Sequence, residues 1–343
     1  MRGAGPRAKI GAVDASTAAS TGTALLAGLL FGYCAQRGGF CLTRAVSNLL
    51  LMRDTAILRA YVLALLVAIV GTHLLALGLV EEIPIRPFRW VANLVGGGVF
   101  GVGMILGGGC AGSSWYRLGE GAVGAGVVLL GFAIGATATS VGVLRPVREA
   151  LQQFEYPVGG EPATLYGVLG VGPWPVIAIL VLAAALWLAR GETEAEHGKW
   201  RWPVTGGAIG VVIALGWYLS AFGGRPTGIS FAANTGHLLT YPLVGYPNRL
   251  TWSMVLLGGV TMGAAIAAWR SGEFAWKPVP GFTGVKLFAG GLVMGAGALI
   301  ADGCNVTQGL TNSATLALGS LTAFAAMLAG GAATLWALFL RKS

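Results

Sequence analysis

Three cysteines are placed where they could do chemistry. Cys41, Cys110 and Cys304 each stand alone in a glycine-broken segment, GGFCLTRA, GGGCAGSS and ADGCNVTQGL, whereas Cys34 sits inside an uninterrupted apolar run where inert packing is the expectation. The four lack the paired spacing of zinc ligands or of a disulfide scaffold. Each of the three lone thiols precedes a helix start: Leu42 to Leu51, Ala111 to Leu118, and Asn305 to Ala314. Ser230 opens a fourth, less regular piece. Free backbone amides and the positive end of a helix dipole favour a small anion. A thiol adds a weak S–H donor and a soft, polarisable acceptor, which suits a solute carrying a terminal sulfur. Weak contacts at successive steps also permit release. A thiolate would instead be a nucleophile, so covalent or redox chemistry stays open from the residues alone.

Neighbouring residues complete the candidate set. Gly109 and Gly303 supply the breaks before Cys110 and Cys304, and Asn305 opens the helix after Cys304. Arg37 lies four residues before Cys41, as a candidate anion partner or an interface anchor, with Arg44 and Arg117 close in sequence to the thiols. Asp302 beside Cys304 tunes that thiol, exchanges protons, or simply reaches water. His73, His197 and His237 share no motif, so no metal and no cofactor is expected.

The elements that carry these residues must be membrane helices. Of 343 residues, 55% are hydrophobic and only 10% charged, with 57 glycines and a mean hydropathy of +0.74. A soluble domain of this length carries about a quarter charged residues, so a soluble enzyme is excluded and the bilayer is the solvent. The net charge of +9 then reads as basic residues held at lipid headgroups, not as a nucleic-acid footprint. Charge-free runs long enough to span mark nine helices: Ala15 to Gln36, Ala60 to Val80, Trp90 to Tyr116, Gly121 to Leu144, Pro162 to Ala189, Trp202 to Gly224, Leu250 to Trp269, Gly284 to Ala301, and a last one within Gly303 to Leu340. Residues 37–53 and 225–248, the latter with Pro226, Pro242 and Pro247, read as re-entrant. Such backbone is tolerated at membrane depth only inside protein or beside a polar cavity.

Residues 96–110 and 290–304 coincide at seven of fifteen positions with a constant offset of 194, both ending in Gly-Cys, and Gly39-Phe40-Cys41 is echoed faintly by Gly228-Ile229-Ser230. The two copies fall on the third and eighth spans, so they run in opposite directions. This predicts an inverted repeat, residues 15–144 and 203–343 joined by residues 145–202, whose breaks meet near the midplane and bring Cys110 and Cys304 together. Glycines at four-residue intervals, Gly97 and Gly101 among them, also serve close helix packing. Thirteen of the 22 basic residues fall in loops on the side of the carboxyl terminus, which places that end in the cytoplasm. Trp174, Trp187, Trp200, Trp202, Trp252 and Trp269 read as interface anchors at span ends. The connection from Arg190 to Trp202 reads as a solvated loop between the halves.

At FGYCAQRGGFCLTRA, GGGCAGSS and ADGCNVTQGL the sequence resembles the YeeE/YedE family of bacterial sulfur-compound transporters, over nearly the whole chain. The resemblance implies an hourglass-like, all-α membrane protein of two inverted halves, in which thiosulfate passes along Cys41, Cys110 and Cys304 through S–H···S hydrogen bonds, with Cys110 central. It implies import through the bacterial inner membrane without net chemical conversion, and a small cytoplasmic TusA-like sulfur carrier as partner. Cys34 lies outside the matched pattern, and the charge of Asp302 is awkward beside an anion path. Two other readings compete: a membrane thiol–disulfide oxidoreductase, disfavoured by the seven-residue spacing of Cys34 and Cys41, and a general small-anion channel.

Overall fold

The computed structural model describes residues 6–80, 83–157, 163–190, 198–244 and 251–341; His197, Pro247, Lys342 and most of the Arg190 to Trp202 connection lie outside them. The described elements are helical: α1 Pro6–Gly38, α2 Leu42–Ser47, α3 Ala56–Leu75, α4 Trp90–Leu106, α5 Ala111–Gly119, α6 Val123–Ser140, α7 Arg145–Gln152, α8 Leu165–Leu169, α9 Pro173–Ala189, α10 Trp202–Ala221, α11 Ala232–Val244, α12 Trp252–Arg270, α13 Gly281–Ile300 and α14 Leu318–Leu335. The wide turn Thr307–Asn312 and the tight turn Ser313–Thr315 stand between α13 and α14. The chain is an all-α membrane protein.

Eight stretches of the described residues are long and apolar enough to cross a bilayer. The ninth expected span is α9, whose 17 residues extend only about 25 Å, short of roughly 30 Å of hydrocarbon. It nevertheless leads from Trp174, packed edge-on against His73 at the end of α3, to Trp187, beneath the guanidinium of Arg59 at its beginning. It therefore runs antiparallel to α3 and returns the chain to the other face.

Glycine seams set how these helices pair. A Cβ at Gly32 of α1 would run into the backbone of Val260 on α12, and one at Gly263 into Leu29. The same close approach joins α6 to α13, where Gly135 faces Leu292 and Gly295 faces Phe132, and joins α4 to α14, where Gly101 faces Met327. Without a hydrophobic drive between helices in lipid, this backbone proximity supplies the dispersion contacts that hold them. Each of these three pairs runs parallel, as does α3 with α10. By contrast α4 and α13 run antiparallel, Gly96 meeting Gly297 and Ala301 while Gly103 meets Met294.

Two tryptophans depart from the interface role. Trp202 and Trp252 are buried, and the indole of Trp252 donates to Thr23 Oγ1 at 3.1 Å. An indole N–H with a protein partner needs no headgroup. Trp174, Trp187 and Trp269 are exposed at helix ends as expected.

Candidate functional site

The site is built where two half-helices begin inside the protein. Gly108, with φ of +63°, turns the chain after α4, and Cys110 caps α5: its sulfur accepts from the Ser113 amide at 3.5 Å. The hydroxyls of Ser113 and Ser114 donate back to the Cys110 carbonyl at 2.9 and 3.0 Å, and Arg117 closes the break by donating to the Gly108 carbonyl at 2.9 Å. A helix start buried in this way keeps its amides in order only with such local partners. Gly109 leaves these groups their room, since a Cβ there would stand 3.1 Å from Ser113 Oγ and 3.3 Å from the Arg117 guanidinium, and both would have to shift by a few tenths of an ångström.

Cys41 comes from the loop before α2. Gly39, at φ +57°, turns the chain back from α1, and the Cys41 side chain then engages the thiol of Cys110 and the side chain of Ser113. The partner half-helix follows Cys304. The Cys304 sulfur lies 3.4 Å from Thr307 Oγ1, which in turn donates to Ser230 Oγ at 3.4 Å. Gln308 knits this segment together: its amide donates to the Ala301 carbonyl, and its Oε1 accepts from Asn312 and Ser320. All four cysteines are free thiols and buried.

The two half-helices meet. A Cβ at Gly112, two residues past Cys110, would stand 2.8 Å from Val306 Cγ2, two residues past Cys304. From that contact α5 leads to one face and the 305–315 segment to the other, where the Leu316 carbonyl accepts from the Leu165 amide. Tyr61 of α3 spans the junction. Its ring stacks on Phe40 at 4.6 Å and Phe324 at 5.6 Å, and its hydroxyl accepts from Asn305 Nδ2 at 2.9 Å and donates to the Asn305 carbonyl.

Cys41 also lines a cavity of about 790 Å³ that opens on the face of α5's far end. Its walls carry Arg44, Arg117, Lys199 and Lys277 against Glu120 and Glu273, an excess of positive charge that concentrates anions. Lys199 Nζ and Gln36 Nε2 both bind Glu273 Oε2 at 2.6 Å. Burial pushes the Glu120 carboxyl above its usual range, against the pull of Lys199, Lys277, Arg117 and a hydrogen bond from Gln36.

The remaining candidates fall in different places. Arg37 does not line this cavity; it ends α1, where its carbonyl accepts from the Trp200 amide at 2.9 Å. Asp302, in the left-handed conformation at φ +59°, pairs with Arg86 at 3.3 Å on the opposite face. Gly303 has no room for a side chain beside Thr307 and Gln308. Cys34 packs in the apolar core. Sequence reasoning missed Tyr61, Ser113, Thr307 and Gln308. A signal existed for the last two: Thr307, Gln308, Thr311, Asn312, Ser313 and Thr315 form a polar run inside a charge-free stretch of membrane length. Tyr61 carries no such signal, being one aromatic residue on an ordinary apolar helix.

Among the described residues no group of His, Cys, Asp and Glu is arranged to hold a metal ion. The arrangement gathers soft sulfurs, hydroxyls and helix-start amides in one buried region. Comparison with known proteins agrees in kind. The family model described as sulphur transport matches residues 37–333. The thiosulfate transporter TsuA of Spirochaeta thermophila is 34% identical over 93% of this chain and 99% of its own, and the thiosulfate transporter TsuA of Escherichia coli is 28% identical over 92% and 94%. With the family match spanning all three lone thiols and the half-helix starts that carry them, the chain belongs to the sulphur-transport (YeeE/YedE) family of multi-pass membrane proteins.

Proposed function

We propose that this protein imports thiosulfate through the bacterial inner membrane, and that Cys41, Cys110 and Cys304 hold the ion in succession without converting it. The observation that carries this reading is the row of groups itself: Cys41 and Cys110 close together beneath a basic cavity, with Cys304 just beyond the Gly112 and Val306 contact. The names of both relatives support the substrate. A thiosulfate ion leaving water needs compensation that does not trap it. Helix-start amides meet its charge, and thiols meet its terminal sulfur with weak hydrogen bonds. Asp302 is an acceptable neighbour because Arg86 balances its charge on the far face.

The inverted repeat belongs to the same reading, with residues 15–144 and 203–343 as halves and residues 145–202 between them. Supporting it, α1 packs on α12 as α10 packs on α3, and α6 on α13 as α14 on α4. Gly108 and Asp302, 194 residues apart, share the left-handed conformation, as do Gly39 and Gly228. The basic cavity would face the cytoplasm together with the carboxyl terminus, in keeping with the positive-inside bias, and there a small TusA-like carrier would collect the sulfur.

Uptake in cells lacking other thiosulfate entry routes tests the proposal. Cys110→Ala should lower uptake at least about tenfold, equivalent to about 1.4 kcal/mol, and Cys110→Ser should fall between it and the native chain. Native uptake in both variants would overturn the thiol relay, and full rescue by serine would reduce the site to a general polar lining.

A further inference from the structure

The two break loops are built alike but tipped differently. Gly39, Phe40 and Cys41 lead into α2, and Gly228, Ile229 and Ser230 lead into α11. Both begin with a left-handed glycine, at φ +57° and +61°. Each tip reaches the half-helix start at the same register, since Ser113 stands three residues after Cys110 and Thr307 three after Cys304. The chemistry then diverges. Around Cys110 the loop contributes a second thiol, and the Ser113 hydroxyl donates to the Cys110 carbonyl at 2.9 Å. Around Cys304 the loop contributes the hydroxyl of Ser230, and the Thr307 hydroxyl faces Ser230 Oγ and the Cys304 sulfur. At Cys110 two sulfurs stand beside hydroxyls that donate to a backbone carbonyl, whereas at Cys304 one sulfur stands beside two hydroxyls that face each other.

Thiosulfate has matching ends, a soft terminal sulfur and three hard sulfonate oxygens that accept well from O–H donors. A hydroxyl rotates freely and can turn its proton from a neighbouring oxygen to a ligand. Ser230 is partly exposed, whereas Thr307 and Cys304 are buried.

We infer that Ser230 and Thr307 form an oxygen-binding subsite beside Cys304, which holds the sulfonate end of the ion while its terminal sulfur points toward Cys110. The inference rests on the thiosulfate reading above and adds to it an orientation and two specificity residues. The Cys304 pocket then tolerates any sulfonate-like oxyanion, and discrimination against sulfate is made at the paired thiols of Cys41 and Cys110.

The test is thiosulfate uptake by the full chain, with and without sulfate as competitor, normalised to the amount of protein in the membrane. Losing one hydroxyl donor should raise KM roughly three- to tenfold in Ser230→Ala and in Thr307→Val, and weaken inhibition by sulfate in both. Thr307→Ser, which keeps the hydroxyl, should behave as native and separates donor loss from misfolding. Ser230→Cys should not restore native KM. Unchanged KM and unchanged sulfate inhibition in Ser230→Ala and Thr307→Val would overturn the subsite, as would full rescue by Ser230→Cys. If those variants transport normally while Cys110→Ala does not, only the subsite falls; if Cys110→Ala also transports normally, the thiol relay itself falls.

Discussion

Tyr61 is the residue on which the two chain breaks lean. Its ring covers Phe40, next to Cys41, and its hydroxyl holds both the side chain and the carbonyl of Asn305, next to Cys304. Removing the hydroxyl leaves a buried amide short of a partner, a loss of about 1–3 kcal/mol. Tyr61→Phe should therefore lower the melting temperature in detergent and slow uptake, with the protein still inserted. Asn305→Ala removes the amide along with the hydroxyl's partner, so the double variant should cost less than the sum of the two singles in the same melt. Additive losses would show that the two groups are not joined.

At the scale of elements, the seams between parallel helices predict which glycines tolerate a methyl group. Gly32→Ala drives a Cβ into the Val260 backbone, so α1 and α12 must separate, at a cost of about 1–3 kcal/mol. Gly258, on the same α12, faces open space, and a methyl group added there would meet nothing within 4 Å. Gly258→Ala should be neutral or stabilise by up to about 1 kcal/mol through helix propensity. Thermal melts of the two variants side by side check this; equal melting temperatures would mean that the seam carries no packing energy. The short α9 follows a different rule, since its contacts at Trp174 and Trp187 hold it in place where its length alone would not.

For the whole molecule, charge decides orientation and pH response. Trp276, beside the basic cavity's Lys277, and Glu155, near Phe88 on the other face, are both exposed. Cysteines placed at these two positions should label from opposite sides of the membrane, with only Glu155→Cys reached by an impermeant reagent outside the cell. Labelling from one side would refute the topology. Glu120 gives the pH dependence. Its carboxyl is raised by burial, so the ionised form is disfavoured in the folded protein. That penalty is full above the raised value and vanishes as pH falls below the ordinary carboxylate range. Glu120→Gln should therefore raise the melting temperature at neutral pH, with the gain fading as the medium becomes acidic. A gain independent of pH would assign the effect to packing.

Glycine, hydropathy and the spacing of charges determined by themselves that this chain spans a membrane, roughly where each helix lies, and that three lone thiols stand at breaks. Those properties are local: a span is read from its own apolar run, and a break from its own glycines. The Gly-Cys repeat even announced that α4 and α13 run in opposite directions, though not that they pack on each other. Only the tertiary structure decided which side chains share a pocket. Arg37 and Arg44 are equally basic and almost equally near Cys41 in sequence, yet only Arg44 lines the cavity. Tyr61 and Asn305 are 244 residues apart and meet through packing. Contacts across such separations depend on how helices cross, which is set by the summed fit of many small backbone approaches and leaves no mark on any single stretch of sequence.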